Sequence, residues 1–311
     1  MRVSIKVPER FLQESTAELK IDSKTKRVWA VQLDLLSVID RICRNHGIRY
    51  SIDSGTLIGA VRHGGMIPWD DDIDVVMPRN DYEKFCLIAP AELDGIYFLQ
   101  TKESDENYDR CFARIRNVTT TAAPVSEMVN GMLFIRYNQG IFVDIFPMDN
   151  VPDDECERKD FFAKIILQRR RLVCLSRARS IYLARKHFPR SLKVLGQIFV
   201  GFWVQFLKRF LGIDIVESLL ARYDCLCKSY SNATTRMVSP IAHRPYEVLG
   251  LSEFDDLADY KFEFLKVRGF RDYDRILTGQ YGNWRKHVIQ VRDSMFFDVE
   301  RPYAEYMVDT K

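Results

Sequence analysis

Apolar positions recur at helical spacing over residues 24–46, at Val28, Val31, Leu35, Val38, Ile39 and Ile42. That periodicity predicts a helix. It should stop at Asn45-His46-Gly47, because Gly47 takes a positive φ without steric cost. A short strand is predicted at 48–52. A short helix at 57–62 follows, opened by Ser54-Gly55-Thr56, and Gly64-Gly65 and Pro68 break the chain again. Alternation over 72–77 predicts a strand, and 78–88 a helix with Pro78 at its start. Further strands are predicted at 96–100, 111–117, 131–136 and 140–146. Residues 153–230 read as mostly helical, with Asp153 or Asp154 capping the first helix and Pro189 separating the next. After a loop around 231–246, a strand is predicted at 262–267 and a helix at 272–280, ended by Tyr281-Gly282. Interleaved strands and helices predict an α/β (α+β) fold, a mixed sheet flanked by helices with a largely helical insertion. The expected division is a core at 24–150, a basic helical subdomain at 151–235 and a C-terminal segment, 236–311, packing back on the core.

The chain has 311 residues, with 47% hydrophobic and 29% charged. Those values exclude a disordered chain, a collagen-like repeat and a polytopic membrane protein. The net charge of +3 conceals an asymmetry: residues 161–210 hold twelve Lys and Arg and no acidic residue, so the rest carries −9. Within that region the run 194–207 has fourteen residues without a formal charge, short of the ~20 needed to span a bilayer. Its Phe199, Phe202, Trp203 and Phe206 beside Lys208-Arg209 suit instead an anionic membrane surface, with packing inside a helical subdomain as the alternative. Nucleic acid is not an expected partner. The first fourteen residues contain no uninterrupted apolar stretch of the signal-peptide kind. Seven cysteines, an odd number, argue against a disulfide framework, and Cys225 and Cys227 lack a second pair for zinc. The expected compartment is the cytosol, with peripheral attachment to the membrane's inner face.

The densest chemical signal is Trp69-Asp70-Asp71-Asp72-Ile73-Asp74. Four carboxylates within five residues repel one another unless something positive neutralises them. On a strand, Asp70, Asp72 and Asp74 would share a face. Mg²⁺ or Mn²⁺ prefers such hard oxygen ligands; the bland reading is a solvated acidic turn. Fifteen residues upstream of Asp72, the Gly55-Thr56 turn opens a helix whose free N–H groups suit a phosphate, with Arg62 adding charge. His63 either contacts phosphate or fixes the loop. Trp69 either stacks on a base or packs in the core. Asp144 sits between Val143 and Ile145 in an apolar strand. It is either paired with Arg114 or Arg116, or serves as a third metal ligand or a base. Asp149 reads as a turn cap.

The run "SGTLIGAVRHGGMIPWDDDIDVVMPRNDYEKF" resembles the hallmark of the LicD family within the nucleotidyltransferase superfamily. "DRICRNHGIRY" and "GIFVDIFPMD" resemble flanking family blocks, and "YDRILTGQYGNW" a C-terminal one, with Asn283 where the family has Asp. The resemblance implies a nucleotidyltransferase-like core. It also implies transfer of phosphocholine or a related phospho-substituent from a CDP-linked donor to a cell-surface glycan, lipid-linked or free. Asp72, Asp74 and Asp144 would be catalytic and metal-binding; Gly55, Thr56, Arg62, His63, Trp69 and Asp70 would bind substrate. The alternative on the same fold is addition of NMP to a sugar, protein or RNA.

Overall fold

A computed structural model describes residues 1–13, 21–106, 108–125, 138–184, 192–288 and 295–308. The chain opens with a short helix α1 (Glu9–Leu12) and the long α2 (Ser23–Asn45), capped by Asp22, whose carboxylate accepts the Thr25 N–H at 2.7 Å. Gly47 takes φ +61 just beyond, as its position predicts. The core unit continues as β1 (Ser51–Ile52), α3 (Ser54–His63), β2 (Asp74–Pro78), α4 (Arg79–Glu92), β3 (Tyr97–Gln100), β4 (Ala113–Asn117), β5 (Thr121–Pro124) and β6 (Ile141–Val151). Three helices follow: α5 (Glu155–Ala184), α6 (Leu192–Leu211) and α7 (Ile215–Cys227). The chain then forms β7 (Met237–Ser239), β8 (Leu249–Gly250), β9 (Leu257–Phe262), β10 (Leu265–Phe270), α8 (Tyr273–Tyr281), β11 (Met295–Asp298) and α9 (Tyr303–Val308).

The main sheet runs β3-β4-β6-β2-β1-β10-β9, with β7 joining β6 and β8 joining β7. It is mixed: β2 runs parallel to β6, while β4 runs antiparallel to it. β5 and β11 form a separate two-stranded sheet. Helices α2 and α4 pack on the main sheet, burying Trp29, Leu33, Leu36, Ile39 and Phe85. Asp34 is buried within α2 and is satisfied by the Ser4 and Ile5 N–H groups and the Tyr97 hydroxyl, which ties the N-terminal segment to the sheet. A second apolar cluster lies under the three helices and includes Phe161, Phe162, Ile165, Leu172, Val204, Leu220 and Tyr223.

Several local expectations change. β2 begins at Asp74, not 72, so Asp70–Asp72 belong to the preceding loop. The strand predicted at 262–267 is a hairpin: β9 and β10 turn at Glu263, whose φ is +56, and alternation on both sides concealed the reversal. Asp154, not Asp153, caps α5, accepting the Glu157 N–H at 2.8 Å. The loop at 231–246 contains β7. Asp149 is no turn cap but a fully buried partner of Arg79 on β6. The strand at 131–136 and Pro189 lie outside the described residues. No helix among the described residues is long and apolar enough to cross a membrane.

Candidate active site

The site is built on the register of three neighbouring strands. Asp74 on β2 pairs with Asp144 on β6, and Asp144 pairs with Arg114 on β4. Residues paired across adjacent strands point to the same face. One row therefore carries carboxylate, carboxylate and guanidinium. Arg114 Nε and Nη2 donate to the two Asp144 oxygens at 2.5 and 3.2 Å. The ion pair expected for Asp144 therefore forms with Arg114, and it lies inside the cleft instead of excluding Asp144 from it. Arg116, the other candidate partner, is buried and donates to the Gln100 side chain and the Gly140 carbonyl.

The acidic loop is pinned at both ends. Gln32 of α2 donates to the Asp71 carbonyl at 2.6 Å, and the Asp144 N–H donates to the Ile73 carbonyl at 3.0 Å. Within it, Asp70, Asp71 and Asp72 bring one carboxylate oxygen each within 4.8 Å of one another. They converge through loop curvature, where alternation predicted a shared strand face for Asp70, Asp72 and Asp74. All four line one cleft with Ser54, Gly55, Arg110, Arg114, Asp144, His243 and Arg244, of about 480 Å³.

A Cβ at Gly55 would lie 2.3 Å from an Asp70 carboxylate oxygen, so Asp70 sits directly over the first turn of α3. The Thr56 side chain links two elements. Its hydroxyl accepts the Asp74 N–H at 2.9 Å, anchoring the start of β2 on α3. Arg62, His63 and Trp69 are not among the cleft-lining residues. Arg62 donates to the Trp284 carbonyl at 2.9 Å, and His63, Trp69 and His287 form an aromatic cluster with centroids 5.7–6.1 Å apart. That cluster joins α3 to the C-terminal segment.

Sequence reasoning missed the loop at 240–247. Arg244 pairs with the buried Asp53 at 2.5 Å and with Glu247 at 3.3 Å. The His243 ring stacks on Phe146 at 4.6 Å, and its carbonyl accepts Arg169 Nη1 of α5 at 2.5 Å. Burial, then the neighbouring Arg244, lowers the His243 pKa to about 4, so it is neutral at pH 7. No periodic or spacing signal links Asp53 to Arg244, 191 residues away.

The donor set suits a hard divalent cation. Every candidate ligand is a carboxylate. The Asp74 carboxyl is pushed well above its usual pKa, first by burial, then by the charge of Asp72, with Asp144 and Asp53 adding to it against Arg244. A bound dication would relieve that penalty. Among the described residues, the carboxylates that converge within 4.8 Å of one another are Asp70, Asp71 and Asp72, while Asp74 and Asp144 sit side by side on the adjoining strands.

Comparison with known proteins agrees with this geometry. Residues 47–171 match the family model described as LicD/FKTN/FKRP, nucleotidyltransferase domain. The lipopolysaccharide cholinephosphotransferase LicD of Haemophilus influenzae is 36% identical over 125 residues, 40% of this chain and 44% of that protein. The ribitol 5-phosphate transferase FKRP of Homo sapiens is 55% identical over 50 residues, 16% of this chain and 10% of that protein. The chain thus spans less than half the length of these curated relatives. The acidic motif, the β2–β6 register and these matches agree on a likeness of residues 47–171 to the LicD/FKTN/FKRP nucleotidyltransferase domain.

Proposed function

We propose that this chain transfers phosphocholine or a related phospho-substituent from a CDP-linked donor to a sugar hydroxyl of a cell-surface glycan. The observation that carries the reading is the row Asp74–Asp144–Arg114, with Asp72 lining the same cleft. The transferase activities named for the LicD and FKRP relatives support the reaction class. In the reaction, the acceptor oxygen bonds to the β-phosphorus, the bond from that phosphorus to the CMP oxygen breaks, and CMP leaves. Phosphoryl-type transfer asks chiefly for positioning and charge stabilisation. Mg²⁺ or Mn²⁺ supplies Lewis-acid neutralisation of the pyrophosphate charge when bound. Asp72 and Asp74 hold the donor end of the site. Asp144, oriented by Arg114, completes the ligand set or accepts the acceptor's proton. Arg244, through Asp53, fixes the turn that opens α3.

The direct test supplies choline-labelled CDP-choline, its ribitol counterpart, or CTP labelled at the α-phosphate to the purified protein with glycan acceptors. The expected result is headgroup label on glycan with release of CMP. Label from CTP on the acceptor with release of pyrophosphate would replace this reading by nucleotidyl transfer.

The same reading brings the protein to an anionic membrane surface carrying the acceptor. α6 packs on α5 through Gly201, where a Cβ would meet the Ala178 carbonyl at 2.2 Å, and through the buried Val204. Phe199, Phe202, Trp203, Phe206 and Phe210 form a continuous ladder with centroids 4.7–6.2 Å apart, joined to α5 by the Tyr182–Phe202 ring contact. Phe199 is 63% and Phe210 67% exposed. On α5, Leu167, Arg170, Cys174 and Arg177 recur on one exposed stripe. Aromatic faces with basic flanks favour the interface, each basic residue adding about 1 kcal/mol near anionic lipid. Not all twelve basic residues serve it: Arg179 and Lys208 pair with Asp214, and Arg169 holds His243. Flotation with phosphatidylserine vesicles is expected to show binding at low salt that weakens steeply as salt rises. No flotation at low ionic strength would leave the aromatic ladder without this role.

A further inference from the structure

We infer that Gln139 reads the base edge of the nucleotide held in the cleft. This inference rests on the proposed CDP-linked donor and names a residue for it. Gln139 is 2% exposed and lines the cleft. Among the described residues, neither its amide nitrogen nor its amide oxygen has a hydrogen-bond partner. Buried polar groups are nearly always satisfied, so this pair calls for an explanation.

Local relaxation does not provide one, because the backbone around Gln139 is held at almost every polar group. The Asn138 N–H donates to Asp105 at 2.8 Å, and the Asn138 carbonyl accepts from Gln100 at 3.0 Å. The Gln139 carbonyl accepts the Ala122 N–H at 2.7 Å. The Gly140 N–H donates to the Asn138 side chain at 3.0 Å, and the Gly140 carbonyl accepts Arg116 at 2.6 Å. Gly140 itself is required there, since a Cβ would fall 2.1 Å from the Asn117 carbonyl. A clamped backbone thus holds the unsatisfied amide in the cleft lining, its two polar atoms covered and brought to a ligand by side-chain rotation.

The chemistry of the amide selects the ligand. A primary amide offers one donor and one acceptor side by side in a plane. That edge pairs with the neighbouring donor and acceptor of a nucleobase, as Asn and Gln do with adenine in DNA. In the proposed donor the base is cytosine. Its flat faces suit the apolar residues at this part of the lining, Ala122, Pro124, Phe142 and Met295. Gln139 and the carboxylates of Asp74 and Asp144 line the same cleft, so one nucleotide can meet the carboxylates with its phosphates and the amide with its base.

The test is calorimetric titration of CMP, with UMP and AMP as comparison probes, into the wild-type chain and into Gln139→Met. The variant keeps the volume but removes both polar groups. The expected result is a CMP affinity at least about tenfold weaker, with an unchanged or raised Tm, because the variant no longer buries an unsatisfied amide. In the transfer assay the KM for donor should rise while kcat changes little. Wild-type binding of CMP with an affinity unchanged in Gln139→Met would overturn the inference and leave the proposed reaction standing. A KM change for the glycan acceptor alone would also overturn it. A lowered Tm with unchanged CMP binding would make Gln139 structural. Failure of the wild-type chain to bind CMP, with or without Mg²⁺, would remove the inference together with its cytidine donor.

Discussion

Asp74→Asn is expected to lower turnover at least 100-fold while leaving the fold intact. A loss of two decades corresponds to about 2.7 kcal/mol of barrier. Asn keeps the shape but not the charge that would hold a dication against the donor phosphates. The fold should tolerate it because the Asp74 backbone supplies the structural contacts: its N–H is held by Thr56, and its carbonyl accepts the Asp53 N–H at 3.1 Å. Removing one member of a like-charge group also relieves repulsion. Asp144→Asn should match the loss and weaken Mn²⁺ binding measured by calorimetry. If Asp144 merely satisfies Arg114, that variant would stay active and melt lower instead. Retention by Asp74→Asn of more than a tenth of the wild-type rate would reject the ligand assignment.

The largest stability effect is expected at a different pair. Arg79, the first residue of α4, meets Asp149 of β6 through Nε and Nη2 at 2.6 and 2.9 Å, and both side chains are almost wholly buried. Burial pushes the Asp149 pKa up to about 6 even beside that guanidinium. Desolvation therefore outweighs the attraction on the carboxylate side, whereas on the arginine side the Asp149 charge and hydrogen bond outweigh it and hold the guanidinium protonated. Removing one partner is another matter, because it strands a buried charge. Arg79→Met or Asp149→Leu alone should cost about 3–5 kcal/mol, whereas the double variant should cost far less. Denaturant titration of the three variants decides this. Single variants within about 1 kcal/mol of wild type would show that water reaches the pair.

Much of the local structure is written in the order of residues. The apolar spacing from Val28 to Ile42 and the positive-φ stop at Gly47 define α2 almost to its last residue, because helical periodicity and a glycine stop are short-range properties. The acidic motif announces its chemistry in the same way, since four carboxylates so close demand a positive partner wherever they lie. Local pattern does not report direction reversal, so the strand expected at 262–267 runs across the Glu263 turn that divides β9 from β10. Nor does it reveal partners distant along the chain. Asp149 resembles a turn residue in sequence, yet the path of α4 brings Arg79 to it inside the core. Thr56 opens α3 in sequence, yet only packing places the Asp74 amide against its hydroxyl. Asp144 carries two plausible roles until strand register sets it between Asp74 and Arg114. Sequence alone thus determined which chemistry and which helices this protein carries, through interactions spanning a few residues. Tertiary structure alone decided which charges meet, because strand register and chain path bring together groups such as Asp53 and Arg244 that no local period connects.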